Sequence, residues 1–193
     1  AQKLILDSLP SDQEFQSALQ NAIIKSNRRG QYILRKIDEW QNGDTSSYVL
    51  MDPTKLHLEH IAPQKPSYDS DWKSRMKGEL NYREVIYRVG NMMLLRDRIN
   101  RSVSNKPFEK KLTEYKNQNK KTKMPLPSLS QGVLDYNNWG QNEVLERSKM
   151  IAKIGTEVWS AKSTTMKGKA KAVKKPKKRR KTSTRRKVPK KEK

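Results

Sequence analysis

The sequence lacks cysteine entirely and contains only two histidines, His57 and His60. Without cysteine the chain can form neither a disulfide framework nor a thiolate zinc site, so we expect a reducing, intracellular setting. The two histidines lie three residues apart. A mechanism that needs a general base near neutral pH must therefore use this short segment or recruit a less usual group.

Long apolar runs are also missing. No stretch of the chain approaches the roughly 18–20 apolar residues that span a bilayer, and residues 1–6 are too short and too poorly flanked for a signal peptide. We therefore expect no membrane as a partner. The chain begins at Ala1 rather than at Met, which leaves open that it is a fragment of a longer protein.

Acidic residues are few compared with basic ones. The chain has 43 Lys and Arg against 20 Asp and Glu, a net charge of +23. Residues 163–193 hold 16 of the basic residues and one acid, so this segment carries +15 and the remainder carries +8. Such a field attracts nucleic acid or an anionic surface. Because residues 163–193 contain too few apolar side chains to form a core, we predict a disordered basic tail.

The remaining 162 residues suffice for one domain with an apolar core. Ser11-Asp12-Gln13-Glu14 has the pattern of a capping box and predicts a helix over 12–27. Arg28-Arg29-Gly30 predicts a break, after which a second helix ends near Asn42-Gly43. We expect these two helices to pack as a hairpin.

The middle of the chain carries the only β pattern. Alternating residues predict a short strand over 56–61, and Gly90-Asn91 predicts a turn before a second, buried strand over 92–95. The predicted class is α+β, mostly α, in which residues 1–162 form one domain. Its predicted parts are a helical hairpin (about 11–43), a ββα core (about 55–105) and C-terminal helices (about 106–160, with a linker at 117–131 and a last helix at 141–160). The four tryptophans (Trp40, Trp72, Trp139 and Trp159) are interpreted as packing residues.

A carboxylate, a histidine and an asparagine form a candidate site for cutting a phosphodiester bond. Glu59 and His60 end the first predicted strand, and Asn100 lies nine residues beyond Asn91 on a predicted helix. A hard cation such as Mg²⁺ or Mn²⁺ prefers oxygen ligands and needs only one or two from the protein, which Glu59 and Asn100 could supply. His60 would accept a proton from the attacking water. The alternative is that the histidine packs in the core and the asparagines form turns.

These residues resemble a known nuclease family. The resemblance rests on an ordered set of motifs: Glu59-His60-Ile61-x-Pro63-Gln64, Gly90-Asn91-x-x-Leu94-Leu95, Asn100, and Ser104-Asn105-x-Pro107-Phe108-x-x-Lys111-x-x-x-Tyr115. Over about residues 10–160 the chain resembles the HNH (His-Me finger, ββα-metal) endonucleases, and most of all the C-terminal nuclease domain of GmrSD-type restriction and phage-defence proteins. The resemblance implies an N-terminal ParB-like NTPase domain as a partner, outside this chain, and a prokaryotic, cytoplasmic, nucleoid-associated location.

The resemblance also implies a role for each position. His60 matches the general base, Glu59 and Asn100 match the ligands of one Mg²⁺ or Mn²⁺, and Asn91 matches the asparagine that orients the histidine. The best-known HNH pattern has a histidine where this chain has Asn100. Many single-metal members of the family share this departure, which makes zinc a poorer match than magnesium or manganese. Lys111 and Tyr115 match family-typical positions at which phosphate contact is one role. For Lys111, a solvated helix face fits equally well. His57 lies outside the motif.

Basic residues outside this motif are candidates for contact with DNA phosphates. They are Arg101 on the helix of Asn100 and, in the tail, Lys174, Lys175, Lys177, Lys178, Arg179, Arg180, Lys181, Arg185, Arg186 and Lys187. The tail segment also has the composition of a nuclear-import signal. The favoured function is a metal-dependent DNA endonuclease in restriction or phage defence. The alternatives are a non-catalytic nucleic-acid-binding module and an interaction scaffold for an acidic partner.

Overall fold

The part of the chain that the structure describes folds into helices around one small sheet. The computed structural model describes residues 9–43, 56–121 and 126–160. Within these ranges the elements, in chain order, are α1 (Asp12–Asn21), α2 (Asn27–Asn42), β1 (Leu56–His60), α3 (Trp72–Arg75), α4 (Tyr82–Ile86), β2 (Met92–Arg96), α5 (Asp97–Val103), α6 (Phe108–Lys121), α7 (Ser128–Gln131) and α8 (Gln141–Trp159). Short 3₁₀ turns occur at Val89–Asn91 and Gly132–Asp135. The predicted α+β, mostly α class is confirmed.

The sheet consists of β1 and β2, paired antiparallel with Leu56 opposite Arg96 and His60 opposite Met92. Because side chains alternate along a strand, the sheet contributes to two apolar clusters. One face packs with α2, α7 and α8 through Leu56, Leu58, Met92, Leu94, Leu34, Ile37, Leu129 and Ile151. The other face packs with the segment 61–76 and with α5 and α6 through Met93, Leu95, Ile61, Trp72, Val103, Phe108 and Tyr115. The ends of both strands are therefore fixed from two sides.

The N-terminal helices confirm the predicted cap and correct the predicted break. The Glu14 backbone N–H donates to Ser11 Oγ at 3.2 Å, and the Ser11 backbone N–H donates to Glu14 Oε2 at 2.8 Å. However, α1 ends at Asn21, and α2 already begins at Asn27 and runs through Gly30. A Cβ on Gly30 would lie 2.8 Å from Leu58 Cδ2. Gly30 therefore allows α2 to pack closely on the sheet, and it does not break the helix.

The two N-terminal helices do not pack mainly on each other. Helix α1 lies along α8, where the rings of Phe15 and Trp159 are 5.9 Å apart and Leu19 covers Gly155. Helix α2 packs on the sheet and on α7, where Asn42 Nδ2 donates to Ser128 Oγ at 2.6 Å. This arrangement differs from the predicted hairpin because Gly155 on α8 leaves room for the apolar side of α1 to pack there.

A buried arginine on the last helix forms hydrogen bonds with the backbone that leads into β2. Arg147 Nη1 donates to the carbonyls of Gly90 (2.5 Å) and Met92 (2.7 Å), and Nη2 donates to that of Leu129 (2.9 Å). Burial lowers the pKa of Arg147 to about 10, so the guanidinium stays charged near neutral pH. The predicted last helix is confirmed as α8, which places this cation.

The region after α5 differs from the prediction. Part of the expected linker at 117–131 is helical, because α6 continues to Lys121 and α7 forms at Ser128–Gln131. Trp72 and Trp139 are fully buried as predicted, whereas Trp40 is 50% exposed. The predicted tail, 163–193, lies outside the described residues. Among those residues, no helix combines the length and apolar character needed to cross a bilayer.

Candidate active site

Glu59 and His60 are the last two residues of β1 and lie on its two faces. Both residues are 8% exposed. Beyond them the chain turns toward Pro63, whose carbonyl accepts a hydrogen bond of 2.6 Å from the hydroxyl of Tyr82 at the start of α4. The end of the strand is thus fixed, while each of the two side chains meets a different set of neighbours.

Glu59 forms a buried ion pair with a lysine from α6. Lys111 Nζ donates to Glu59 Oε1 at 2.6 Å and to the His60 carbonyl at 3.3 Å, and the Tyr115 hydroxyl donates to Glu59 Oε1 at 3.4 Å. Lys111 and Tyr115 are fully buried, and Nζ lies 5.9 Å from the centre of the Trp72 ring. The spacing of four residues places Lys111 and Tyr115 on the same side of α6.

Burial is the largest influence on the pKa values of Glu59 and Lys111. It raises the pKa of the Glu59 carboxyl, against the opposing effects of Lys111 and Tyr115. It lowers the pKa of the Lys111 ammonium, which the charge of Glu59 opposes. It also raises the pKa of the Tyr115 hydroxyl well above its usual value, with a further contribution from Glu59. Each charge of the pair therefore depends on the other to remain in the protein interior.

The buried pair corrects one interpretation of Lys111. Its side chain does not lie on a solvated helix face, because α6 turns it toward β1. Direct contact with a DNA phosphate stays a prediction, and it would require Nζ to leave Glu59. The sequence showed the four-residue spacing to Tyr115, but it gave no signal that both side chains meet Glu59.

His60 lies against a glutamine and a tyrosine. Gln64 Nε2 is 3.3 Å from both ring nitrogens of His60, and the Tyr87 ring meets the His60 ring edge-on at 5.9 Å. Burial, and then the positive charge of Lys111, lowers the pKa of His60 to about 4. The imidazole is therefore neutral near pH 7 and retains a nitrogen that can accept a proton.

Asn91 ties the end of β1 to the turn before β2. Its Oδ1 accepts from the Ala62 backbone N–H (2.8 Å) and from Trp139 Nε1 (3.1 Å), while its Nδ2 donates to the carbonyls of Ala62 and Ile86, both at 3.0 Å. Its own carbonyl accepts from the Ile61 N–H at 2.9 Å. Asn91 is fully buried, and these bonds use the hydrogen-bonding capacity of its amide. It can therefore orient the segment that follows His60 without touching a substrate.

Asn100 lies on α5, which packs against both strands. Its Oδ1 atom is buried and accepts no hydrogen bond. A buried amide oxygen without a partner is uncommon in folded proteins, and an oxygen of this type is a good ligand for a hard cation. Among the residues described, no group of three or more His, Cys, Asp or Glu side chains is arranged to hold a metal. Glu59 and Asn100 would offer a hard cation one carboxylate and one amide oxygen, fewer protein ligands than such a group, and a Mg²⁺ or Mn²⁺ site there stays a prediction.

Two other candidate residues, His57 and Arg101, contact Asp97 at the start of α5. His57 is partly exposed and its Nε2 is 3.7 Å from Asp97 Oδ1. Arg101 is exposed and pairs with Asp97 along α5, so phosphate contact by Arg101 stays a prediction. The ten basic tail candidates between 174 and 187 lie outside the described residues. The roles of Glu59, His60, Asn91 and Asn100 also stay predictions.

Sequence reasoning missed three contacts of the site. Tyr87 at His60 follows a stretch whose structure the sequence left ambiguous, and Trp139 at Asn91 was interpreted only as packing. The pairing of Lys111 with Glu59 crosses 52 positions of sequence. A signal existed only for Gln64, which directly follows Pro63 within the motif.

The sequence of the chain matches a known protein family. It matches the family described as "GmrSD restriction endonucleases, C-terminal domain" over residues 9–154, which is three quarters of the chain. The match includes both strands, α5, and all of Glu59, His60, Asn91, Asn100, Lys111 and Tyr115. No curated protein shows a significant sequence match to the chain.

Proposed function

The chain belongs to the family of C-terminal domains of GmrSD restriction endonucleases, and we propose that it is an HNH-type DNA endonuclease domain that uses one Mg²⁺ or Mn²⁺. The family supports a restriction-type nuclease with DNA as its substrate. The observation that carries the finer assignment is the buried, unpartnered Oδ1 of Asn100 on α5, the helix that packs against both strands. A role in defence against foreign DNA follows from the same family.

Glu59 and Asn100 would hold the cation through one carboxylate and one amide oxygen. When bound, the cation would stabilise negative charge on the phosphate and on the leaving 3′ oxygen. Glu59 remains close to Lys111 and Tyr115. These two side chains act on the carboxylate rather than on the substrate, and we assign them positioning roles.

His60 would accept the proton of the attacking water. Its pKa of about 4 keeps the ring neutral at the pH of the cell, so the base form is present before DNA binds. Gln64 and Tyr87 limit the motion of the ring. Asn91 fixes the backbone just after His60 through its bonds to Ala62. Asn91 is therefore a positioning residue in this mechanism.

A plasmid-nicking assay tests the proposal. The parent protein should cut with Mg²⁺ or Mn²⁺, and EDTA should abolish cutting. His60→Ala should reduce the rate by roughly 10²–10⁴-fold, because it removes the general base. His57→Ala is the matched control, since it removes the other histidine at a partly exposed position of the same strand, and it should cut like the parent.

The metal ligands have their own test. Glu59→Ala and Asn100→Ala should each weaken binding of Mn²⁺, measured by calorimetry without DNA, as well as cutting. Undiminished cutting by the parent in EDTA, or by His60→Ala with metal, would contradict the mechanism.

One observation favours a second candidate, a DNA-binding module without catalysis. In this structure the ammonium of Lys111 already neutralises the proposed ligand Glu59. If the chain is such a non-catalytic module, it would bind DNA but would not cut it with either Mg²⁺ or Mn²⁺. The same nicking assay, run beside a gel-shift measurement, separates the two candidates.

A further inference from the structure

The connection between α1 and α2, together with the first turn of α2, carries an exposed group of cations that the proposed mechanism does not use. Lys25, Arg28 and Arg29 are all exposed. No Asp or Glu occurs between Glu14 and Asp38. Among the described residues, no carboxylate forms an ion pair with any of the three cations. We call Lys25, Arg28 and Arg29 the basic edge.

A backbone hydrogen bond holds the basic edge next to Tyr87, whose ring contacts His60. Ile24, the residue before Lys25, is buried, and its N–H donates to the carbonyl of Tyr87 at 2.8 Å. The ring of that same Tyr87 contacts His60 edge-on at 5.9 Å. Arg88 adds a second tie, because its Nη1 donates to the Gln20 carbonyl at 2.9 Å. The connection is therefore attached to the segment that borders His60.

The start of α2 is attached to the same strand as His60. Gly30 packs so closely that a Cβ would lie 2.8 Å from Leu58 Cδ2, and Gln31 Nε2 donates to the Leu56 carbonyl at 3.0 Å. Leu58 lies two residues before His60, so their side chains share one face of β1. The first turn of α2, which contains Arg28 and Arg29, thus begins beside the face that carries His60.

We propose that the basic edge binds the DNA backbone beside the phosphate that His60 would attack, and so positions the strand in the site. Arginine suits this task because its planar guanidinium donates two parallel bonds to phosphate oxygens. Helix α2 has 16 residues and no acid in its first turn, so its dipole adds to the attraction for an anion. The proposal rests on the proposed nuclease function.

The salt dependence of DNA binding tests the basic edge. Full-length parent and Arg28→Gln/Arg29→Gln proteins are titrated with a fluorescent duplex in EDTA at several salt concentrations. Each lost phosphate contact should lower the log–log slope by about 0.9, so the double variant should lose about 1.8. Glutamine is a good helix former, which keeps α2 intact. Circular dichroism should show the same helix content in parent and variant.

The control removes the same charge elsewhere. Lys149→Gln/Lys153→Gln changes two exposed lysines of α8, and its slope should change by less than half as much. Equal slope changes in the two variants would overturn the inference, because they would show that only net charge matters. Since this measurement needs no cutting, it is separate from the nicking assay. A parent that binds but does not cut would contradict the proposed function alone.

A crosslinking experiment tests the position of the edge on DNA. The chain has no cysteine, so Arg29→Cys gives a unique site for a photoactivated crosslinker. With a duplex whose cut position is known, crosslinks from Arg29→Cys should fall within a few nucleotides of the cut, whereas those from Lys153→Cys should be weaker and dispersed. Dispersed crosslinks from Arg29→Cys would overturn the proposed location.

Discussion

Replacing Lys111 with methionine should strongly destabilise the protein, although the new side chain has a similar length. The substitution removes the ammonium that lies 2.6 Å from Glu59 and leaves a carboxylate that is 8% exposed. The Tyr115 hydroxyl, at 3.4 Å, would remain as a side-chain donor to Glu59 Oε1. Loss of one member of a buried ion pair costs about 3–5 kcal/mol. For a domain of this size, 3 kcal/mol corresponds to a fall in Tm of roughly 6–12 °C.

Urea denaturation and thermal unfolding of the metal-free proteins measure this effect. Lys110→Met is the matched control, because Lys110 is the neighbouring exposed lysine on α6, and its free energy of unfolding should change by less than about 0.5 kcal/mol. The double variant Glu59→Gln/Lys111→Met removes both charges and should recover more than half of the lost stability. A Lys111→Met protein as stable as Lys110→Met would refute the argument that the pair is desolvated.

The same variant links stability to the proposed cation. With Lys111 replaced, Mn²⁺ would supply the positive charge beside Glu59 that Lys111 provides in the parent, so Mn²⁺ should raise the Tm of Lys111→Met more than that of the parent. An equal rise in both proteins would mean that Lys111 does not influence the metal ligand.

Three further predictions concern other parts of the site. The pKa of His60 is about 4 in the folded protein, below the unfolded value near 6.5. The stabilisation from neutral His60 should therefore be fully present above pH 6.5 and decrease toward pH 4 by up to about 3 kcal/mol. Urea denaturation at a series of pH values should show a smaller loss in His60→Gln. Asn91→Ala would leave several buried backbone groups unpaired, and chemical denaturation should show a loss of about 2–4 kcal/mol. A Cβ on Gly90 would lie 2.0 Å from the Val144 carbonyl, whereas one on Gly132 meets nothing within 4 Å; Gly90→Ala should thus lower the Tm by more than 5 °C and Gly132→Ala should not.

The proposed roles of Lys111 and Asn91 differ in what their loss would change. Lys111→Met should alter both the stability and the response to Mn²⁺, because Lys111 contacts a proposed metal ligand. Asn91→Ala should alter the position of the segment after His60, because its bonds go to backbone groups. Comparing Mn²⁺ binding in the two variants would therefore separate an effect on the metal ligand from an effect on the position of the base.

Local patterns in the sequence determined the elements that depend on near neighbours. The capping box of Ser11 and Glu14, the end of α2 at Gly43 and both strands follow from short spacings, because caps, turns and alternation involve residues close together in the chain. The same locality allowed the motif around Glu59 and His60 to be recognised as a candidate site. It also gave the correct class, a mostly helical chain around a small β element.

Only the tertiary structure decided which distant side chains meet. The sequence around Gly30 has the composition of a break, but the packing of α2 on Leu58 requires a glycine inside the helix. A lysine at position 111 is compatible with a solvated helix face, but the path of α6 brings it to Glu59 across 52 positions of sequence. No local period encodes such a pairing, because it depends on how two elements pack and on the cost of burying a charge without a partner.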